Sequence, residues 1–237
     1  MEKLLFLDCE TTGLNEEDRI CQIAYWIGFS ENASASCCQL VKPPLPIKVG
    51  AMAVSHVTNK MVEKYPTFSN SVIKTSLNGF SEQGHILVAH NAPFDLKMLA
   101  KEGVVFKNYI DTKKLSHQLD QHDAMESHRL QYLRYYYGIE LPDAVAHTAD
   151  GDVAVLKAVY ERLVKELGDI SIEEQLEISR NPVLFSKFKF GKYEGNYIAD
   201  VARINPGYLE WMLGQKKASG QVEDDWIYTL EFYLRNV

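Results

Sequence analysis

The opening LLFLD is a short apolar run with a carboxylate, Asp8, at its end, and a second carboxylate, Glu10, follows after a single intervening residue. An apolar run of this length reads as a strand buried in a sheet, and successive side chains on a strand point to opposite faces. Asp8 and Glu10 therefore share one face, where they can grip one or two cations, while Cys9 points the other way into the core. Any fold built on this strand has to bring further ligands to its end from elsewhere in the chain. Two segments offer them. HNAPFDLKML carries Asp95 on the first turn of a helix whose start is marked by Pro93, and HTADGDVAVL carries His147 and Asp152 at the start of a strongly periodic helix. Asp150 is a rival to Asp152, because two positions apart on a helix face different sides and spacing alone does not choose between them. Each group also has a bland reading when taken singly: a chance D-x-E, a helix cap at Asn91 or Asp95, a solvated loop histidine at 147.

The chain has 237 residues, 46% hydrophobic and 24% charged, the balance of a globular protein with a substantial core. No apolar run approaches the ~20 residues of a membrane span, and the N-terminal run is interrupted by Asp8 and Glu10, so the expectation is a cytoplasmic protein with no membrane partner. Cysteines 9, 21, 37 and 38 lack CxxC spacing and read as reduced thiols. The net charge of −7 opposes nucleic-acid binding, unless the acidic cluster holds divalent cations that reverse the local sign.

RICQIAYWIGF and SASCCQLVKP follow the first strand with apolar or alternating patterns, so the chain opens as a three-stranded antiparallel sheet that ends at Pro43, Pro44 and Pro46. AVSHVTNKMVEKYP and NSVIKTSLNGFS read as helices, HILVAHN as a strand, and YIDTKKLSHQL as a strand running into a helix. The expected architecture is α/β, a mixed sheet flanked by helices over residues 1–168, then a linker helix at 169–182 and a small basic and aromatic C-terminal module at 183–237. Between Val183 and Lys217 six basic residues stand against three acidic ones, a net of +3 within an acidic chain. FSKFKFGKYEG alternates Phe188 and Phe190 with Lys187 and Lys189, which predicts a strand buried on one face and basic on the other, turning at Gly191 or Gly195. Lys187, Lys189 and Lys192 have no core role in that reading and would face nucleic acid.

Taken together, the D-x-E strand with its following TTGL, the HNxxFD helix start and the H-x-A-x-x-D helix start resemble, in order and residue by residue, the motifs of the DEDDh 3'-5' exonucleases. The resemblance covers roughly residues 3 to 166 and selects Asp152 over Asp150. It implies an RNase-H-like fold, two Mg2+ or Mn2+ ions, and removal of nucleoside monophosphates from a 3' end. By the same resemblance Asp8, Glu10 and Asp152 hold metal, Asp95 acts mainly through water, and His147 deprotonates the attacking water. Thr11, Gly13 and Leu14 would hold the terminal nucleotide, and Asn91 and Phe94 the strand behind it.

AMAVSHVTNKMVEKYP resembles the helix and loop that exodeoxyribonuclease X-like members place beside the active site, with His56 as a phosphate or sugar contact. FKFGKYEGNYIADVARINPGYLEWML resembles the segment that follows the nuclease domain in the same subfamily. The resulting expectation is DNA with a free 3' end as substrate, in repair or turnover. An RNA-trimming exonuclease or a polymerase proofreading subunit shares the five site residues, and a catalytically inactive nucleic-acid-binding protein is the alternative from another class. The preferred strandedness of the nucleic acid and the oligomeric state are not legible in the residues.

Overall fold

The computed structural model describes residues 3–30, 33–142, 149–218 and 224–236. Five strands, β1 (Leu4–Thr11), β2 (Ile20–Ser30), β3 (Ala33–Leu40), β4 (Ile86–Ala89) and β5 (Tyr109–Asp111), lie in the order β3-β2-β1-β4-β5. The first three are antiparallel, as expected, and β4 and β5 add in parallel on the far side of β1. The fold is thus the expected mixed sheet flanked by helices.

Alternation along β1 builds the two faces. Leu5, Leu7 and Cys9 pack with Ile23, Tyr25 and Ile27 of β2 against α3 (Val72–Glu82) and α4 (Ala92–Lys101). Phe6 faces the other way with Ala24, Val88 and Ile110, toward α5 (Thr112–Leu119), α6 (Leu130–Tyr136) and α7 (Ala149–Glu166). The buried side chains of α7, Val153, Leu156, Val159, Tyr160 and Leu163, recur at three- and four-residue spacing, as an amphipathic helix requires. Two short helices, α1 (Val49–Ser55) and α2 (Asn59–Val62), flank a smaller cluster of Cys21, Ile47, Val57 and Val62.

β1 pairs with β4 only through Phe6, so Asp8 and Glu10 extend past the last β1–β4 partner while still paired with Ala24 and Gln22 of β2. The crevice beyond the carboxyl ends of parallel strands, where the direction of strand order changes, is where open α/β sheets bind ligands. A register shift between Glu10 and Thr11 bends the strand there.

The helix expected as a linker, α8 (Ile172–Arg180), starts with a capping box between Ser171 and Glu174. It lies on the edge strand: Asp111 N–H donates to Ser179 Oγ at 2.9 Å, and Tyr160 OH donates to Gln175 Oε1 at 2.8 Å. An edge strand covered in this way has no row of open backbone donors to recruit another chain.

The C-terminal helices α9 (Ile198–Ile204), α10 (Pro206–Ala218) and α11 (Asp224–Arg235) enclose their own core of Phe188, Ile198, Val201, Leu209, Met212 and Leu230. The strand expected at Lys187–Phe190 does not form. Only the isolated bridge Lys187–Tyr197 is present, because the backbone N–H groups of Ser186 and Lys187 donate to the Asp123 carboxylate instead of to a neighbouring strand. Of the lysines expected on a basic face, Lys189 has structural partners: its Nζ donates to the carbonyls of Asp123 (3.1 Å) and Met125 (2.8 Å), tying the C-terminal helical part to the loop before α6. Among the described residues no helix is long and apolar enough to cross a membrane.

Replacing Ser179 with Ala removes the acceptor for a buried backbone N–H at the sheet edge. Urea unfolding should show a loss of about 1–3 kcal/mol with the m-value unchanged.

Candidate metal centre and active site

β1 delivers Asp8 and Glu10 on the face that carries Phe6, toward α7, and the first turn of α7 presents Asp152. One carboxylate oxygen from each of the three residues lies within 4.8 Å of the other two. Asp150 is exposed, with Oδ1 3.8 Å from Cys38 Sγ, so the helix turns this carboxylate toward β3 and Asp152 toward β1. Gln131 of α6 donates from Nε2 to Asp152 Oδ1 at 2.6 Å. No local pattern in the sequence points to Gln131, since only the packing of α6 on α7 brings it there.

Asp95 enters from α4. Asn91 precedes that helix in the left-handed conformation (φ 69°, ψ 48°) and makes no side-chain cap. Its backbone N–H donates to Asp111 Oδ1 at 2.9 Å, and the same oxygen caps α5 by accepting from Lys113 N. Asp111 therefore sets the start of α4 and with it the position of Asp95. Asp95 is buried and accepts a 2.9 Å hydrogen bond from Cys9 Sγ. Cys9 points into the core as expected, yet its thiol reaches the site from the opposite face of the strand. Asp95 is not one of the three carboxylates gathered within 4.8 Å.

Burial and mutual repulsion make Asp8, Glu10 and Asp95 harder to ionise. Asp8 is raised well above the usual carboxylate range by burial, then by Asp95, Asp152 and Glu10. Burial, with Asp152 nearby, pushes Glu10 up to about 7, and burial raises Asp95 to about 7 against the lowering effect of the Cys9 hydrogen bond. A set of oxygen donors that ionise reluctantly unless positive charge arrives fits hard divalent cations such as Mg2+ or Mn2+.

The turn after β1 is locked from within. Thr11 Oγ1 donates to Gly13 O at 2.7 Å, Thr12 Oγ1 donates to Asp18 Oδ1 at 2.7 Å, and Lys48 Nζ lies 2.7 Å from Asp18 Oδ2. A Cβ on Gly13 would sit 2.6 Å from Asp18 Oδ2, so only glycine lets the chain pass this close to the Asp18–Lys48 pair. Leu14 beyond it is 82% exposed, an apolar side chain with no partner in the core. His56 is exposed at the left-handed C-terminus of α1 (φ 58°), and Phe94 packs partly against the core. His147 lies outside the described residues.

The Exonuclease family model (RNase_T) matches residues 5–160, and the exodeoxyribonuclease X-like C-terminal model matches residues 188–217. The chain belongs to the exonuclease family. Exodeoxyribonuclease 10 of Escherichia coli K12 is 28% identical over 234 residues, covering 98% of this chain and 99% of that protein. A DNA polymerase III subunit epsilon-like protein of Rhodobacter capsulatus is 36% identical over 178 residues, covering 70% of this chain, and the matched region is 25% of that longer protein. Among solved structures, exonuclease X in complex with 5' overhanging duplex DNA superposes with a TM-score of 0.61 at 25% identity, covering 74% of this chain and 99% of that one.

The raised carboxyl groups set a pH dependence. The folded state holds protons on Glu10 and Asp95 up to about pH 7, whereas the unfolded chain releases them near pH 4, so these two groups contribute less stability to the metal-free protein as pH rises through that window, while the buried His90 and His117, held low, contribute more. In chelator-treated protein the melting temperature of wild type relative to Glu10→Gln should fall between pH 5.5 and pH 8. An identical pH dependence in the two proteins would contradict the assignment.

Proposed function

We propose that this chain is a 3'-5' exodeoxyribonuclease that releases nucleoside monophosphates, using two Mg2+ or Mn2+ ions bound by Asp8, Glu10 and Asp152, with Asp95 acting through water. The observation that carries the reading is the convergence of Asp8, Glu10 and Asp152 within 4.8 Å, beside a buried Asp95, at the open end of the sheet in a chain of the exonuclease family. When bound, the ions orient the attacking and leaving oxygens and offset the charge that builds on the phosphorus. His147 takes the proton from the attacking water. Gln131 holds Asp152 in its ligating orientation, and the Cys9 thiol does the same for Asp95. The exposed Leu14 and the backbone at Gly13 take the terminal base and sugar, Thr11 supports that turn, His56 contacts a phosphate or sugar, and Asn91 and Phe94 support the next nucleotide.

Lys187 and Lys192 extend the contact along the strand. Lys187 Nζ stands 4.8 Å from the ring centre of Tyr197 and Lys192 Nζ stands 5.1 Å from that of Tyr193, while Trp211 is 58% exposed on the same helical part. Lysines beside the exposed rings of Tyr197 and Trp211 suit a single-stranded nucleic acid, whose phosphates meet the ammonium groups and whose bases stack. Lys189, engaged with two carbonyls, serves that surface by anchoring it.

The 36% identity to the epsilon-like protein favours a proofreading subunit as the second reading. The match to the exodeoxyribonuclease X-like C-terminal model at 188–217, and the coverage of 99% of exodeoxyribonuclease 10, support the stand-alone nuclease, with DNA repair or turnover as its setting. The presence of all five site residues opposes a purely binding role.

Incubation with Mg2+ and matched labelled DNA and RNA oligonucleotides should give mononucleotides from the 3' end of DNA. Release from the 5' end, or internal cuts, would overturn the proposal. Asp152→Asn should abolish hydrolysis while the fold is retained, and His147→Ala should slow it by roughly 10²–10⁴-fold. Lys187→Ala with Lys192→Ala should flatten the salt dependence of DNA binding by about one unit of slope per lysine, with little change in the hydrolysis of a minimal nucleotide ester.

A further inference from the structure

A second group of ligating side chains lies away from the carboxylates of β1. His117 in the last turn of α5, Asp123 in the loop after it and His128 just before α6 each offer a donor atom within 4.8 Å of the other two. The His117 and His128 rings stack with centroids 3.6 Å apart. Donors around a tetrahedral zinc with bonds of ~2.0 Å lie ~3.3 Å apart, so the two rings would have to turn apart at one edge for both nitrogens to point at one ion.

Ser116 Oγ lies 2.7 Å from Lys113 O and 2.9 Å from His128 Nδ1. With the hydroxyl proton on Lys113 O, the hydroxyl accepts from Nδ1, and Nε2 is the nitrogen left to ligate. Burial disfavours the charged form of His128, which leaves a lone pair on Nε2. That Nε2 is buried and has no hydrogen-bond partner, and Asp120 Oδ2 faces it at 3.5 Å. A buried ring nitrogen aimed at a carboxylate oxygen, with nothing between them, is a costly arrangement unless a cation completes it.

We propose that His117, Asp123 and His128 form a transition-metal site, of the kind that takes Zn2+, at the seam between the sheet domain and the C-terminal helical part. Asp120 stands beside it as a fourth ligand or an outer-shell acceptor. Asp123 already uses Oδ2 to receive Ser186 N, Ser186 Oγ and Lys187 N, which leaves Oδ1 for the ion. Phe185 packs edge-on against His117, with ring centres 5.4 Å apart, so the C-terminal segment touches this group at His117 as well as at Asp123. Two imidazoles and a carboxylate select borderline ions, whereas the oxygen-only set at Asp8, Glu10 and Asp152 selects hard ones. A groove of about 700 Å³, lined by Lys114, His117 and Tyr228 among others, gives the ion a way in.

The test uses the full chain carrying Asp8→Ala and Asp152→Asn, so that the carboxylate centre does not compete, in the presence of excess Mg2+. Zn2+ alone is the probe. Equilibrium dialysis should retain one equivalent of Zn2+, and a hundred-fold excess over Kd should raise Tm by roughly 5–10 °C. Adding His128→Gln should weaken retention at least ten-fold and remove the Tm shift. Because that variant could unfold, imidazole NMR of the background protein provides an independent reading: the first equivalent of Zn2+ should move the His117 and His128 resonances and leave His56 and His85 in place. Unmoved His117 and His128 resonances at one equivalent would overturn the site, as would unchanged Zn2+ affinity in a folded His128→Gln protein.

Discussion

Repulsion among carboxylates at the end of β1 is the constraint around which the rest of the structure is arranged. Asp8 and Glu10 share a face because a strand alternates, and the sheet around them is too apolar to stabilise their charge by solvation. Asp152 and Asp95 add to the repulsion, and burial drives Asp8, Glu10 and Asp95 toward their protonated forms. Left alone such a cluster would destabilise the fold. It persists because two helices are packed firmly against opposite faces of one strand and because divalent cations can supply the missing charge.

Positioning is distributed over groups that do not ligate. Gln131 orients Asp152, the Cys9 thiol orients Asp95, and Asp111 fixes the start of the helix that carries Asp95 by receiving Asn91 N–H. Each contact crosses between elements distant in the chain, so the geometry of the carboxylates depends on the packing of α4, α6 and α7 rather than on any one loop. Asp111 is in turn held by α8, whose Ser179 accepts its N–H, so the helix after the sheet domain also supports the site.

The C-terminal helical part is joined through a polar seam. Asp123 receives two backbone N–H groups and a hydroxyl from residues 186 and 187, and Lys189 closes the same loop from the other side. The hydrogen-bonding capacity that the sequence pattern assigns to a strand is spent on this junction instead. Phe188 is consequently a core residue, whereas Phe190 remains 39% exposed against Trp226. The same seam gathers the His117, Asp123 and His128 donors, which gives the junction a chemistry distinct from that of the carboxylate centre.

Much of the sheet domain was legible in the residues because its signals are local. Apolar runs, helical periodicity over 149–166 and the placement of Pro93 each report the conformation of a short segment. The alternation of a strand likewise determines that Asp8 and Glu10 act together. The assignments of Gln131, Asp111, Cys9 and Lys189 were not legible, since each depends on a partner 20 to 86 residues away that no periodicity encodes. Sequence therefore determined which elements form and which acids stand at the end of β1. Tertiary structure decided that α7 turns Asp152 inward and Asp150 outward, and that residues 186–189 join the seam rather than a sheet, because side-chain hydrogen bonds and burial between distant elements outweigh local propensity.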